Sequence, residues 1–232
     1  MPFDLTTPDL LALAWFFLAW SGFTVVLDHL RVVPPPLNRH MSGILGAWMR
    51  NMVARDNRVM DSMLLGHLIS SVSFFASTTA LLLAGLLGAL AAAEEAHRVI
   101  SGLGFTVRTT AAVFELKLLL LLVIFVFAFF KFTWALRQYN YACALVGAAP
   151  SGKSPEGEAA AAEAASVLSL AVLSFNGGLR AYYFAFATLG WFVHPLAYAV
   201  LTAGILVVLV RRQYFSPAAR AVRRYGELVR KS

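Results

Sequence analysis

Five apolar stretches dominate the chain, at 10–27, 64–90, 111–134, 175–192 and 196–210. A bilayer core of about 30 Å takes roughly 20 apolar residues in a helix. The pattern therefore predicts an all-α integral membrane protein with five transmembrane helices. The first stretch follows MPFDLTTPD, which carries two acids and no base. A secretory signal needs a positive n-region, so this stretch reads as a retained anchor. Pro34-Pro35-Pro36 then stops any helix. The region 167–210 accommodates either one crossing or two, and in the second case His194-Pro195 is the turn.

Between the spans the apolar residues are fewer and periodic. Leu37, Met41, Ile44, Leu45, Trp48, Met52, Val59 and Met63 recur at helical spacing. Arg39, Arg50, Arg55 and Arg58 fall largely elsewhere on the wheel. This predicts an amphipathic helix over 37–62 that enters the second span without a breaker. Residues 131–147 hold good helix formers and no Gly or Pro before Gly147, so the third span is expected to continue past the bilayer. A loop with Pro150 and Pro155 leads to the Ala-rich run at 158–166, where a helix over 158–174 feeds the fourth span. Together these make a helical hairpin. Residues 217–230 read as a basic amphipathic helix, with Ser216 as N-cap and Pro217 in the first turn. The whole chain, 1–232, is one membrane domain with these helical extensions, and no internal repeat is visible.

Charge decides between the topologies. With five crossings and the N-terminus outside, 16 of the 19 Lys and Arg residues lie on the inner side, against Arg98, Arg108 and Lys117 outside. With four crossings the split is 9 against 10. The positive-inside rule selects five crossings, N-out and C-in, with the helical extensions cytoplasmic. The formal charge of +7 is then a product of topology, and no nucleic-acid partner is expected. The basic inner faces are expected to meet anionic headgroups.

Composition agrees. The chain is 59% hydrophobic and 13% charged, with a mean hydropathy of +0.72. Soluble domains carry about 25% charged residues, so an ordinary soluble enzyme and a disordered chain are both excluded. The single Cys143 excludes a disulfide framework and a thiolate metal cluster.

Four constellations carry candidate chemistry. On the second span, His67, Ser70, Ser71, Ser77 and Thr78 follow one face around Phe74 and adjoin Ser73 and Thr79. They either line a pore or substrate path, or are small hydroxyl residues that let helices pack closely. Arg50, Arg55, Arg58 and Asp61 form an inner-mouth anion or headgroup cradle, or else a lipid-facing basic surface, with Arg58 and Asp61 paired at i, i+3. Asn176-Gly177-Gly178-Leu179-Arg180 marks a kink, a close helix contact or a binding break in the fourth span. Arg180 either snorkels or pairs with Asp28 or Asp61. Glu115 and Lys117 lie at the outer end of the third span, where Lys117 is expected to snorkel and Glu115 needs a partner or a water path. Dispersed histidines offer no metal-ligand spacing and no paired haem ligands, so no metal and no cofactor is expected. There is no P-loop, GxSxG elbow or HExxH, so no catalytic residue is assigned and the protein is not expected to be an enzyme.

Three segments, RNMVARDNRVMDSMLLGHLISSVSFFASTTALLLAGL (50–86), KFTWALRQYNY (131–141) and FNGGLRAYYFAFATLGWF (175–192), resemble the membrane family known as domain of unknown function 599, found in proteobacteria and plants. The resemblance covers about 10–215. It implies a multi-pass membrane protein with no assigned activity. The expected location is an integral position in a bacterial cytoplasmic (inner) membrane. The hydroxyl and His67 face of the second span, continuous with an Arg-bearing inner helix, leads instead to the reading of a homo-oligomeric channel or transport-like protein for a small ion or solute. Its path would run along the polar face of the second span. The alternative is a non-catalytic accessory or scaffold subunit of a larger membrane complex.

Overall fold

The computed structural model describes residues 5–28, 37–102, 109–152 and 154–231. All the regular structure among them is helical. In chain order the elements are α1 (Thr7–Asp28), α2 (Leu37–Val53), α3 (Val59–Ala91), α4 (Ala93–Ser101), α5 (Ala111–Ala148), α6 (Pro155–Val193) and α7 (Pro195–Val210). A π-helical turn (Arg211–Phe215) then leads to α8 (Pro217–Lys231). Five segments are long and apolar enough to cross a membrane: Thr7–Leu27, Val59–Ala91, Ala111–Ala148, Pro155–Val193 and Pro195–Arg230. The expected triple-proline stop at 34–36 and the side chain of Asp28 lie outside the described residues.

Two expected joins are continuous. The third span and its extension form the single 38-residue α5, and the Ala-rich run enters the fourth span as the 39-residue α6. Gly177 and Gly178 are buried within α6 and do not end it. A third expected join is broken. The helix predicted over 37–62 stops at Val53, and α3 starts afresh at Val59. No Gly or Pro does this. Asn57 Oδ1 accepts from the Val59 amide at 2.9 Å and starts the new helix, while the Gly152 amide donates to the Val53 carbonyl at 3.1 Å and closes the old one. One helix was not anticipated. α4 turns Ala93, Ala96 and Ile100 onto Phe114 and Leu118, leaving Glu94, Glu95 and Arg98 at its surface.

The chain forms two compact units. The first comprises 1–30, 77–129 and 178–209. Its centre is aromatic: Phe16 meets Phe184 edge-on at 5.6 Å and Tyr198 at 5.1 Å, Trp20 stacks on Phe184 at 5.6 Å, and Trp191 stacks on Tyr198 at 5.4 Å. Such offset and edge-on pairs add about 0.5–1.5 kcal/mol each beyond burial. His194 ends α6, and Pro195 opens α7 with its ring already set for a helix. The two helices then run tightly together at Gly190, where a Cβ would lie 2.6 Å from Leu201 Cδ1 and 3.2 Å from the Ala197 backbone.

The second unit comprises 31–76, 130–177 and 210–232. Phe75, Phe132 and Phe175, from α3, α5 and α6, form a ring cluster with centroids 5.4–5.7 Å apart. Ala135 and Ala142 of α5, and Ala161, Ala164 and Ala171 of α6, are all fully enclosed. The Ala-rich run therefore supplies more than helix propensity; its small side chains form the packed face. Ser216 Oγ accepts from the Ala219 amide at 3.0 Å and caps α8, as expected. α8 packs along α2.

Candidate functional site

The polar face of the second span is on the outside of α3. His67, Ser70, Ser71 and Ser77 are exposed and Thr78 is half-buried, whereas Asp61, Leu65, Val72, Ala76 and Thr79 point inward. α3 is also the least enclosed of the five spans, with 11% of its most apolar stretch buried. Ser71 Oγ donates to the His67 carbonyl at 3.0 Å, the back-bond a helical hydroxyl makes when it has no better acceptor. Thr79 is separate from this line: its hydroxyl meets Tyr182 Oη at 2.9 Å inside the first unit. Gly66, Gly85 and Gly88 share the outward line with Ser70, Phe74 and Ser77. A Cβ at any of the three glycines would meet open space, so nothing within the chain requires glycine there.

The inner-mouth residues separate into different tasks. Asp61 is 0% exposed, and its Oδ1 accepts from Trp48 Nε1 at 2.6 Å and from Arg55 Nη1 at 3.0 Å. Its partner is therefore Arg55, not the i, i+3 neighbour Arg58. Arg58 reaches the end of α5 instead. Its Nη1 donates to the carbonyls of Val146 (3.2 Å) and Ala149 (2.8 Å), and its Nη2 donates to that of Pro150 (2.7 Å). A helix leaves its last carbonyls without partners, and a guanidinium offers a planar fork that suits several at once. Arg50 remains exposed. Two of the three arginines are thus committed to intramolecular bonds, and Asp61 Oδ2 is enclosed without a hydrogen-bond partner.

In the fourth span, Asn176 Nδ2 donates to Asn38 Oδ1 at 3.0 Å, tying α6 to α2. Arg180 is 7% exposed, so it is packed inside rather than extended to a surface.

Lys117 gives the largest departure from expectation. It is 2% exposed and does not snorkel. Its Nζ donates to the Trp191 carbonyl at 2.8 Å and lies 5.4 Å from the Trp191 ring centroid. Trp191 Nε1 in turn donates to Asp9 Oδ1 at 2.7 Å, and Asp9 Oδ2 accepts from the Thr6 amide at 3.1 Å. One tryptophan therefore links an acid of α1, through its indole, to a base of α5, through its carbonyl. The only signal in the sequence was the presence of both charges at the ends of apolar runs, since their partner is a backbone atom 74 residues away.

The family model described as Protein of unknown function, DUF599, matches residues 11–218. The chain belongs to the DUF599 family. No curated protein and no solved structure matches it detectably. The five long apolar helices make this DUF599 chain an integral membrane protein, and any role for it rests on the geometry above.

Proposed function

We propose that the protein is a homo-oligomeric channel or transport-like protein for a small ion or solute, with the path along the outward face of α3 where copies meet. The observation that supports it is a transmembrane helix whose exposed side carries an imidazole and three hydroxyls. Polar side chains facing lipid are costly, so such a face belongs against protein or water. The glycines on the same line, free of neighbours within the chain, allow the backbone of another copy to come close. A hydroxyl-lined path replaces part of a solute's hydration shell, and His67 adds a group able to accept or donate a proton.

In this reading the chain is N-out and C-in by the distribution of Lys and Arg. It sits in a bacterial cytoplasmic membrane with α2, α8 and the α5–α6 hairpin on the inner side, near anionic headgroups, and acts without catalysis or cofactor. The test is solute flux in liposomes together with native mass spectrometry. Wild-type protein is expected as a fixed homo-oligomer that conducts, and His67→Leu, Ser70→Leu and Ser77→Leu are expected to cut flux at least tenfold. Unchanged flux in all three would remove α3 from the path.

A second reading is an accessory or scaffold subunit of a larger membrane complex. It is favoured by α8, where Tyr225 and Leu228 are large, apolar and exposed. Recovery of a single copy with unrelated subunits in mild detergent would select it.

A further inference from the structure

The seam between α2 and α8 is built around His40, in the first turn of α2. Gly226 of α8 lies directly against the imidazole: a Cβ there would be 3.3 Å from His40 Nδ1 and 3.4 Å from its Cβ. One edge of the ring is thus pressed onto backbone. The other edge, Nε2, is shut off from solvent with no hydrogen-bond partner, and so is Nε of Arg223 on α8. The charged groups acting on the ring are Arg39 from α2 and Arg223, Glu227 and Arg230 from α8, three cations against one carboxylate. Among the described residues, ion pairs form between Arg55 and Asp61 and between Arg98 and Glu95, and neither draws on this group.

Enclosed polar atoms are normally satisfied, and here a guanidinium N–H and an imidazole nitrogen, a donor in the Nε2-protonated tautomer, lie unsatisfied amid surplus positive charge. The matching ligand accepts hydrogen bonds, donates none and is anionic. We propose that this seam is a binding site for a phosphate group, held by the guanidinium groups of Arg223 and Arg230 with His40 at its floor. A tetrahedral phosphate offers several acceptor oxygens to donors from two directions, which a planar guanidinium fork on α8 and an imidazole on α2 supply together. Glu227 excludes weakly charged anions, because only a strongly charged ligand outweighs its repulsion. The proposal is independent of the path on α3. The phosphate comes either from a lipid headgroup or from a soluble phosphate.

The test uses the full chain in nanodiscs, with histidine labelled at Cε1 and the His40 signal assigned by His40→Gln. Inorganic phosphate is titrated into phosphatidylcholine discs against chloride at equal ionic strength. Separately, discs containing phosphatidic acid are compared with pure phosphatidylcholine. A saturable shift of the His40 signal with inorganic phosphate identifies a soluble ligand, and a shift only with phosphatidic acid identifies a lipid headgroup. In either case Arg230→Gln, an exposed position that leaves the seam's packing alone, is expected to weaken binding about tenfold, the loss of one charge-assisted bond. Arg224→Gln removes the same charge from the far side of α8 and is expected to leave affinity within about twofold. No shift with either source overturns the site, as does equal loss from Arg224→Gln and Arg230→Gln, which would reduce the effect to general charge.

Discussion

Lys117 Nζ donates to the backbone carbonyl of Trp191 at 2.8 Å, and the same tryptophan's indole donates to Asp9 at 2.7 Å. The three residues come from α5, α6 and α1, so a single residue, through its carbonyl on one side and its indole on the other, joins an acid and a base that do not bond each other directly. Replacing Lys117 by Met removes the bond and leaves the Trp191 carbonyl enclosed. The expected loss is about 1–3 kcal/mol, read as a lower unfolding temperature in detergent. Asp9→Asn is expected to cost a similar amount, and the double variant less than both together, because each single change strands part of one network. Additive losses would show that the two ends act separately.

Gly190→Ala is expected to destabilise the α6–α7 hairpin by about 1–3 kcal/mol, since the new methyl group would overlap Leu201 and crowd the Ala197 backbone. Gly88→Ala offers the contrast. Its methyl group meets open space, so folding of a single chain is expected to be unaffected or slightly improved by helix propensity. If copies meet along α3 as proposed, Gly88→Ala instead lowers the oligomer's dissociation temperature while leaving the unfolding of the chain unchanged. Native mass spectrometry and circular dichroism on the same samples separate the two effects.

Arg58→Met is expected to fray the end of α5. Three bonds to the carbonyls of Val146, Ala149 and Pro150 disappear, at a cost of about 1–3 kcal/mol. Faster amide exchange over 146–152 is the direct readout. Arg58→Lys is expected to recover little of the protection, because an ammonium group lacks the planar fork that reaches several carbonyls.

Burial depresses the His40 pKa below its ordinary value, and Arg223, Arg230 and Arg39 press in the same direction while Glu227 opposes them. The folded chain therefore favours the neutral ring more than the unfolded chain does. Its stabilising contribution is complete above the ordinary histidine midpoint of about 6.5, and is lost as pH falls through the depressed midpoint. In phosphate-free buffer, α8 is expected to exchange its amides faster between pH 7 and 5, and His40→Gln to flatten that dependence. Slower exchange at low pH would contradict the sign.

The spans were readable from the sequence because a bilayer demands long apolar runs and little else. The ends of helices were less readable. The α2–α3 break at 54–58 contains neither Gly nor Pro, and only Asn57, a residue that readily accepts from a helix's first amides, marked it. α4 was present as the spacing of Ala93, Ala96 and Ile100, hidden by its shortness next to a much longer span. The functional pairings were least readable. Arg58 and Asp61 sit at helical spacing in sequence, yet Arg58 bonds carbonyls about 90 residues away and Asp61 bonds across the turn to Arg55. Lys117 carries the same lesson: its acceptor is a main-chain oxygen, which no residue type announces. The outward placement of His67 and Ser70 depended on which side of α3 the other helices cover, and both sides are apolar enough to be covered.

The bond from Arg58 to the end of α5 also has an electrostatic meaning. α3 begins where α5 stops, so the partial positive charge at one helix's start lies beside the partial negative charge at the other's end. The Arg58 guanidinium bonds the carbonyls at the negative pole. At this junction a cation of the chain itself offsets the negative end of a 38-residue helix.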